Sequence, residues 1–337
     1  MGIFCEIYIN KPEDEIFRPG MVVSGVIRYT VDKESTFSKI TVSLKGVGRV
    51  EIEKEWRSDR EKTYVKTEHY VDIDNVVTKE TVTLPIGTYE TPFAFVLPIN
   101  IPHSLRCYKK FLTEYGKCDI IYYVRIKFDS PGWKLAKRCR KEFTVAPKLN
   151  LIPVRLPTVP TICGEQKTLT SIFSSRKHIV DIKANIESCF ISPGGAIRFN
   201  FEVNNNTNID IKAVKTKLVE IYSFYTSSSG ADLVHTDKVK NTDYKTTEIK
   251  SGTCESFDIE MKVPQYIFTI ESYATIVKRE YFVWIEALLP IPHRNALLKI
   301  EVQIGDIAGK DTNTDYVDFK IHNDAPPSYW EVMSEES

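Results

Sequence analysis

The sequence lacks the features of a secreted or membrane-spanning protein. No apolar run approaches the roughly 18 residues that a transmembrane helix needs. The N-terminus has no basic start followed by an apolar stretch, which argues against a secretory signal. Glu6 stands where a myristoylation motif beginning at Gly2 would have Ser or Thr. We therefore expect a cytoplasmic protein.

Motifs of catalysis and metal binding are also missing. The histidines never have HxH or HExxH spacing, and no GxSxG, Walker or GxGxxG motif occurs. The seven cysteines are odd in number and scattered, and none are spaced as CxxC. This usage is typical of reduced thiols and not of disulfides or zinc ligands. The sequence thus predicts a protein that is not an enzyme and has no cofactor or metal.

The chain has no excess of charge of either sign. A formal net charge of zero argues against a nucleic-acid-binding protein held by bulk charge. The distribution is uneven, however: residues 1–155 hold 26 basic and 20 acidic residues, and the remainder holds 19 and 25. Either the first half meets something anionic, or the two halves attract each other.

Alternation of apolar and polar residues with period two is the strongest signal present. It runs through residues 120–128, 197–203, 257–263 and 298–304. Each segment is predicted to be a strand with one face in a core. Many such strands, with turns between them and no long helical stripe, predict an all-β sandwich. At 337 residues the chain is long enough for two domains.

The two halves of the sequence resemble each other. The turn Pro19-Gly20 returns as Pro193-Gly194, each ahead of a strand. Apolar positions recur at the same spacing: Val23, Ile27, Tyr29, Ile40 and Leu44 return as Ile197, Phe201, Val203, Val214 and Leu218. Pro-Gly is a common turn, but matching of both turns and inward positions favours two related sandwiches.

Four crowded prolines, at 147, 153, 157 and 160, suit an extended connection between two lobes. Residues 161–177 are rich in Ser, Thr and Lys and are predicted to be loop. The expected division is a first lobe over 1–155, a linker over 156–177, a second lobe over 178–322, and a short disordered tail over 323–337.

These features resemble the arrestin fold, two tandem immunoglobulin-like β-sandwich lobes, and specifically the arrestin-domain-containing proteins, or α-arrestins. The residues that carry the resemblance are Phe17, Pro19, Gly20, Val23 and Gly25, the stretch Leu84 to Pro98, Ile101-Pro102, Tyr115-Gly116, Pro193-Gly194 and Ala325 to Tyr329. Many relatives have a cysteine-rich stretch between the lobes, where this chain has Cys163 alone. A metal or lipid role for that stretch is therefore not carried over.

Pro326-Pro327-Ser328-Tyr329 is the sharpest short motif. Adjacent prolines pre-form a polyproline II helix, and WW domains offer an aromatic groove for Pro326 and Pro327 and a pocket for Tyr329. An inert terminal coil is the plainer interpretation. The resemblance implies an adaptor that links cytosolic parts of membrane proteins or receptors to a WW-domain HECT-type ubiquitin ligase. Its outcome would be ubiquitination, endocytosis and endosomal sorting at the plasma membrane and endosomes. The alternatives are a retromer-like trafficking scaffold without a ligase and a receptor-desensitising arrestin.

A basic cluster lies near the end of the first lobe. It comprises Lys134, Lys137, Arg138, Arg140 and Lys141, and a second group is formed by Arg106, Lys109 and Lys110. Both groups could hold phosphorylated tails or anionic lipid headgroups. Solvated charge on a hairpin is the simpler interpretation of the same residues.

Overall fold

A computed structural model describes residues 3–56, 60–111, 114–132, 135–146, 160–169, 178–227, 233–270 and 273–305. All the regular secondary structure in these residues is β-strand, which confirms the all-β prediction. The tail motif, Lys134 and the proline-rich segment 147–159 lie outside the described residues.

The described part of the first lobe contains ten strands, most of them in two main sheets. They are β1 (Ile3–Ile9), β2 (Val22–Val31), β3 (Ser35–Phe37), β4 (Lys39–Trp56), β5 (Arg60–Thr78), β6 (Val82–Leu84), β7 (Gly87–Val96), β8 (Leu105–Phe111), β9 (Glu114–Asp129) and β10 (Lys137–Phe143). One sheet has the order β1-β2-β7 and the other β10-β9-β4-β5, with β8 also paired to β9 and a small β3-β6 sheet beside them. All these pairings are antiparallel.

The second lobe repeats this plan with ten further strands. They are β11 (Thr161–Leu169), β12 (His178–Ile186), β13 (Phe190–Ile191), β14 (Ala196–Asn206), β15 (Ala213–Phe224), β16 (Leu233–Lys238), β17 (Tyr244–Lys245), β18 (Cys254–Lys262), β19 (Val277–Leu288) and β20 (Ala296–Ile304). One sheet has the order β11-β12-β14-β18 and the other β13-β20-β19-β15-β16, with β17 paired to β15. Only the short β13–β20 pairing is parallel among the described strands.

The predicted inward faces are buried. In β9 the alternation from Ile120 to Phe128 gives five side chains that are at most 1% exposed. Phe93, Phe95 and Leu97 of the first lobe and Phe201 and Val203 of the second lie in the two hydrophobic cores. Because the strand period is two, each outward residue between them faces away from the core.

The repeat seen in the sequence is also a repeat of structure. Gly20 and Gly194 both have positive φ, 87° and 78°, in the turns that open β2 and β14. Each of these strands is flanked on both sides by antiparallel partners, β1 and β7 in one lobe and β12 and β18 in the other. A glycine suits both turns because residues with a Cβ rarely adopt this backbone conformation.

The expectation of loop over 161–177 is wrong for its first half. Residues 161–169 form β11, which pairs antiparallel with β12 along its whole length. The polar composition of this segment was misleading, because β11 is an edge strand with one partner and mostly exposed side chains. Thr, Gln and Lys suit such a strand as well as they suit a loop. Residues 170–177 lie outside the described residues.

The hydrophobic core of the first lobe also includes residues of the second lobe. The first lobe's core includes Tyr222 and Phe224 of β15, together with Leu233, Ile270, Ala274, Ile276 and Val277. Glycine makes room for this contact at Gly116, where an added Cβ would lie 2.8 Å from the Phe224 ring and 3.0 Å from Leu233. At Gly48 an added Cβ would lie 2.7 Å from Ile276. The second lobe therefore packs closely against β4 and β9 of the first.

Candidate functional site

The basic cluster predicted from the sequence falls on β10, an edge strand of the five-stranded sheet. Arg138, Arg140 and Lys141 are exposed and Lys137 is half-buried. Successive side chains of a strand point to opposite faces, so the cluster is split between the two faces of β10. Arg138 and Arg140 face outward, whereas Lys137 and Lys141 share the side of Cys139, which packs against the core. The cluster thus contributes to two surfaces and not to one.

Arg106 joins the outward part of this cluster through Glu142. The Glu142 carboxylate lies 2.6 Å from the Arg106 guanidinium and 3.3 Å from that of Arg140. β8 and β10 both pair with the same edge of β9, one beyond the other, so residues far apart in the sequence meet here. A cleft of about 430 Å³ opens between the two strands, lined in part by Ser104, Arg106, Glu142 and Thr144.

Other cations extend this outer face across β9. Arg140 is paired in register with Arg125, and Arg138 with Lys127. The Arg140 guanidinium also lies 5.4 Å from the centre of the Tyr123 ring, within cation–π range. We call Arg106, Arg125, Lys127, Arg138 and Arg140 the basic outer face, which also holds the carboxylates of Glu142 and of Asp129, 2.7 Å from Lys127. It can hold an anionic group by charge-assisted hydrogen bonds.

Lys109, which the sequence grouped with Arg106 and Lys110, lies elsewhere. Its ammonium donates to Glu220 Oε2 at 3.0 Å and to Asp237 Oδ2 at 2.9 Å, and both carboxylates belong to the second lobe. The alternation of side chains along β8 could have revealed this position from the sequence. Lys109 lies on the same face of the strand as the buried Leu105 and Cys107, whereas Arg106 lies on the opposite face.

Glu220 is the centre of this inter-lobe charge cluster, which consists of Lys109, Glu220, Asp237, Arg279 and Tyr281. Its Oε1 accepts hydrogen bonds from Arg279 Nε at 2.7 Å and from the Tyr281 hydroxyl at 2.9 Å. Burial alone would raise the pKa of Glu220, but Arg279 and Lys109 outweigh it and hold this pKa below its ordinary value. Glu220 is therefore ionised at neutral pH.

The cluster is shielded by aromatic rings. Lys109 lies 4.9 Å and Arg279 5.1 Å from the centre of the Tyr222 ring. His103 is buried near Arg279, and its imidazole lies 6.0 Å from the Phe268 ring. Burial, reinforced by the charge of Arg279, lowers the pKa of His103 to about 4. At this point, a basic residue of the first lobe and acidic residues of the second therefore attract the two lobes to each other.

Within the described ranges, no group of three or more His, Cys, Asp and Glu side chains is arranged to hold a metal ion. The same residues contain no helix that is long and apolar enough to cross a membrane.

Comparison with known families agrees with the two-lobe fold. The model of the arrestin (or S-antigen) N-terminal domain matches residues 5–152. The model of the arrestin C-terminal domain matches residues 176–308. The chain belongs to the arrestin family. Its curated relatives are arrestin-domain-containing proteins, which places it with the α-arrestins.

Three of these relatives show how distant the similarity is. Arrestin domain-containing protein 1 of Mus musculus is 22% identical over 209 residues, which cover 62% of this chain and 45% of the relative. Arrestin domain-containing protein 5 of Homo sapiens is 22% identical over 227 residues, covering 66% and 63%. Arrestin domain-containing protein 17 of Caenorhabditis elegans is 26% identical over 220 residues, covering 59% and 47%. The matched part spans less than two thirds of each relative.

Proposed function

We propose that this arrestin-domain protein is a non-enzymatic adaptor between membrane-protein cargo and a WW-domain HECT-type ubiquitin ligase. The observation that carries the proposal is the Pro326-Pro327-Ser328-Tyr329 motif, which follows the second arrestin domain in the sequence. The two lobes recognise cytosolic parts of a receptor or transporter, and the motif recruits the ligase. The result is ubiquitination, endocytosis and endosomal sorting of the cargo.

The mechanism of such an adaptor is effective concentration. One chain that holds ligase and cargo together converts a bimolecular transfer into a nearly intramolecular one. The adaptor needs no catalytic residues of its own. It acts in the cytoplasm, at the surface of the plasma membrane and endosomes.

The decisive experiment is titration of a peptide covering residues 320–337 into isolated WW domains. A short motif of this kind should bind with a Kd near 1 μM, about −8 kcal/mol. Tyr329→Ala should cost about 2 kcal/mol or more, because it removes the aromatic anchor. Ser328→Ala is the matched control, because we expect the Ser328 side chain to point away from the groove and its loss to leave the affinity unchanged. Equal binding by Tyr329→Ala and the unaltered peptide would favour a scaffold without a ligase.

We infer a second binding role for the basic cluster, which takes up anionic lipid or phosphorylated peptide. The exposure of Arg138, Arg140 and Lys141 supports it, as does the contact that Arg140 and Arg106 share with Glu142. Reversing the charge of Lys134, Lys137, Arg138, Arg140 and Lys141 together should weaken sedimentation with anionic liposomes and flatten its salt dependence.

Arg198→Glu is the control, because Arg198 is an exposed arginine of the second lobe. If the charge-reversed variant and the unaltered protein sediment equally with the liposomes, the cluster is ordinary solvated surface.

A further inference from the structure

Cys5 and Cys139 lie next to each other on edge strands of the two main sheets of the first lobe. Cys5 lies in β1, an edge strand of the three-stranded sheet, and Cys139 lies in β10, an edge strand of the five-stranded sheet. The Cys139 thiol donates a hydrogen bond to the backbone oxygen of Cys5 at 3.3 Å, so the two residues are in direct contact. Both cysteines are free and half-buried.

Three of the other five cysteines provide a comparison. Cys107 and Cys118 are direct partners across β8 and β9, but they are only 8% and 0% exposed, so a bulky oxidant has no access to them. Cys254 is exposed and is therefore an accessible reference thiol. Cys5 and Cys139 combine direct contact between the two residues, partial access and positions on two different sheets.

We propose that Cys5 and Cys139 form an intramolecular disulfide when the protein meets a small-molecule disulfide such as oxidised glutathione, and that the bond pins β1 to β10. One cysteine thiolate attacks oxidised glutathione, which gives a protein–glutathione disulfide and one glutathione thiol. The second cysteine then attacks the protein sulfur and releases the second glutathione thiol. Two protein thiols are oxidised and one glutathione disulfide is reduced to two thiols.

Reactivity of the Cys5 thiol is restrained at neutral pH. Burial raises the pKa of the Cys5 thiol, and the nearby Cys139 thiol and Glu6 raise it further. Because the thiolate is the nucleophile, oxidation through Cys5 should be slow near pH 7 and should speed up about tenfold per pH unit below that pKa. Oxidation through Cys5 therefore requires sustained exposure to the oxidant.

The bond would join the walls of a groove. A cleft of about 380 Å³ begins two residues further along each strand and is lined in part by Ile7, Tyr8 and Lys11 on the β1 side and by Lys141 and Phe143 on the β10 side. Lys141 belongs to the basic cluster, so oxidation fixes the geometry of one surface where that cluster is displayed. The two cysteines are 134 residues apart, so the cross-link closes a long loop and strongly restricts the unfolded chain.

The test uses the full chain, incubated with oxidised glutathione over a range of pH, then acid-quenched, alkylated and mapped by mass spectrometry. We expect a Cys5–Cys139 peptide lacking two hydrogens, formed faster as pH rises. We also expect a thermal midpoint several degrees higher, reversed by dithiothreitol. Cys5→Ser and Cys139→Ser should each abolish both changes, and Cys254→Ser should keep both.

Glutathione adducts on Cys5 or Cys139 without the cross-link would overturn the proposal, and so would a cross-link confined to Cys107 and Cys118. A Cys5–Cys139 cross-link that leaves the thermal midpoint unchanged would overturn the pinning of β1 to β10. Because these readings come from the unaltered protein, they stand even if a serine variant fails to fold.

Discussion

Replacing Glu220 by glutamine tests the inter-lobe charge cluster most directly. Glutamine keeps the size of the side chain and removes its charge, so Arg279 and Lys109 stay buried or half-buried without their shared carboxylate. Removing one partner of a buried ion pair typically costs about 3–5 kcal/mol. For lobes of this size that loss corresponds to a fall of roughly 6–20 °C in the midpoint of thermal unfolding.

The matched control is Glu260→Gln. Glu260 lies 3.6 Å from Arg198, but both side chains are more than half exposed, so solvent screens the pair. Such a surface pair contributes about 0–1 kcal/mol. Urea unfolding followed by tryptophan fluorescence measures both variants in the same way. If Glu220→Gln loses no more stability than Glu260→Gln, the buried cluster does not stabilise the contact between the lobes.

A double-mutant cycle locates the effect at the interface itself. Lys109 belongs to the first lobe and Glu220 to the second, so a coupling between them measures an interaction that crosses the boundary. Lys109→Met, Glu220→Gln and their combination should show a coupling of about 0.5–3 kcal/mol, because the two groups touch. Additive losses would mean that each residue acts within its own lobe.

Three further outcomes can be measured on the same protein. Gly116→Ala should cost about 1–3 kcal/mol in urea unfolding by overpacking against Phe224, whereas the same change at Gly164, with no atom nearer than 3.6 Å, should be tolerated. Phe95→Ala should cost about 3–5 kcal/mol by leaving a cavity, and an unchanged thermal midpoint would contradict its burial. His103 stays neutral in the folded protein at pH 5 but takes up a proton when the chain unfolds. The free energy of unfolding should therefore fall by about 2 kcal/mol between pH 6.5 and pH 5. His103→Gln should abolish this fall.

The sequence predicted the parts of the fold that depend on local periodicity. Strands buried on one face, such as β9 and β14, alternate regularly, and their inward residues could be named because the strand period is two. The polar edge strand β11 was missed because an exposed strand with a single partner has no apolar face long enough to distinguish it from a loop.

The site was less predictable, since it depends on which strands are neighbours. The meeting of Arg106 with Arg140 at Glu142 requires that β8 and β10 both pair with β9, and no local pattern encodes that pairing. Lys109 was placed in a surface group because its neighbours are basic. Only the parity of β8, together with acceptors more than a hundred residues away, explains its position between the lobes.

The contact between the lobes combines two kinds of interaction with different consequences. Phe224 and its apolar neighbours remove surface from water wherever they pack, so they stabilise association with little dependence on orientation. The ion pairs of Lys109 depend on orientation, because its ammonium must reach the carboxylates of Glu220 on β15 and Asp237 on β16 at the same time. A small rotation of one lobe breaks at least one of these bonds and leaves a buried charge without its full set of partners, which is costly. The apolar contact therefore holds the lobes together, and the charge cluster sets the angle at which they meet.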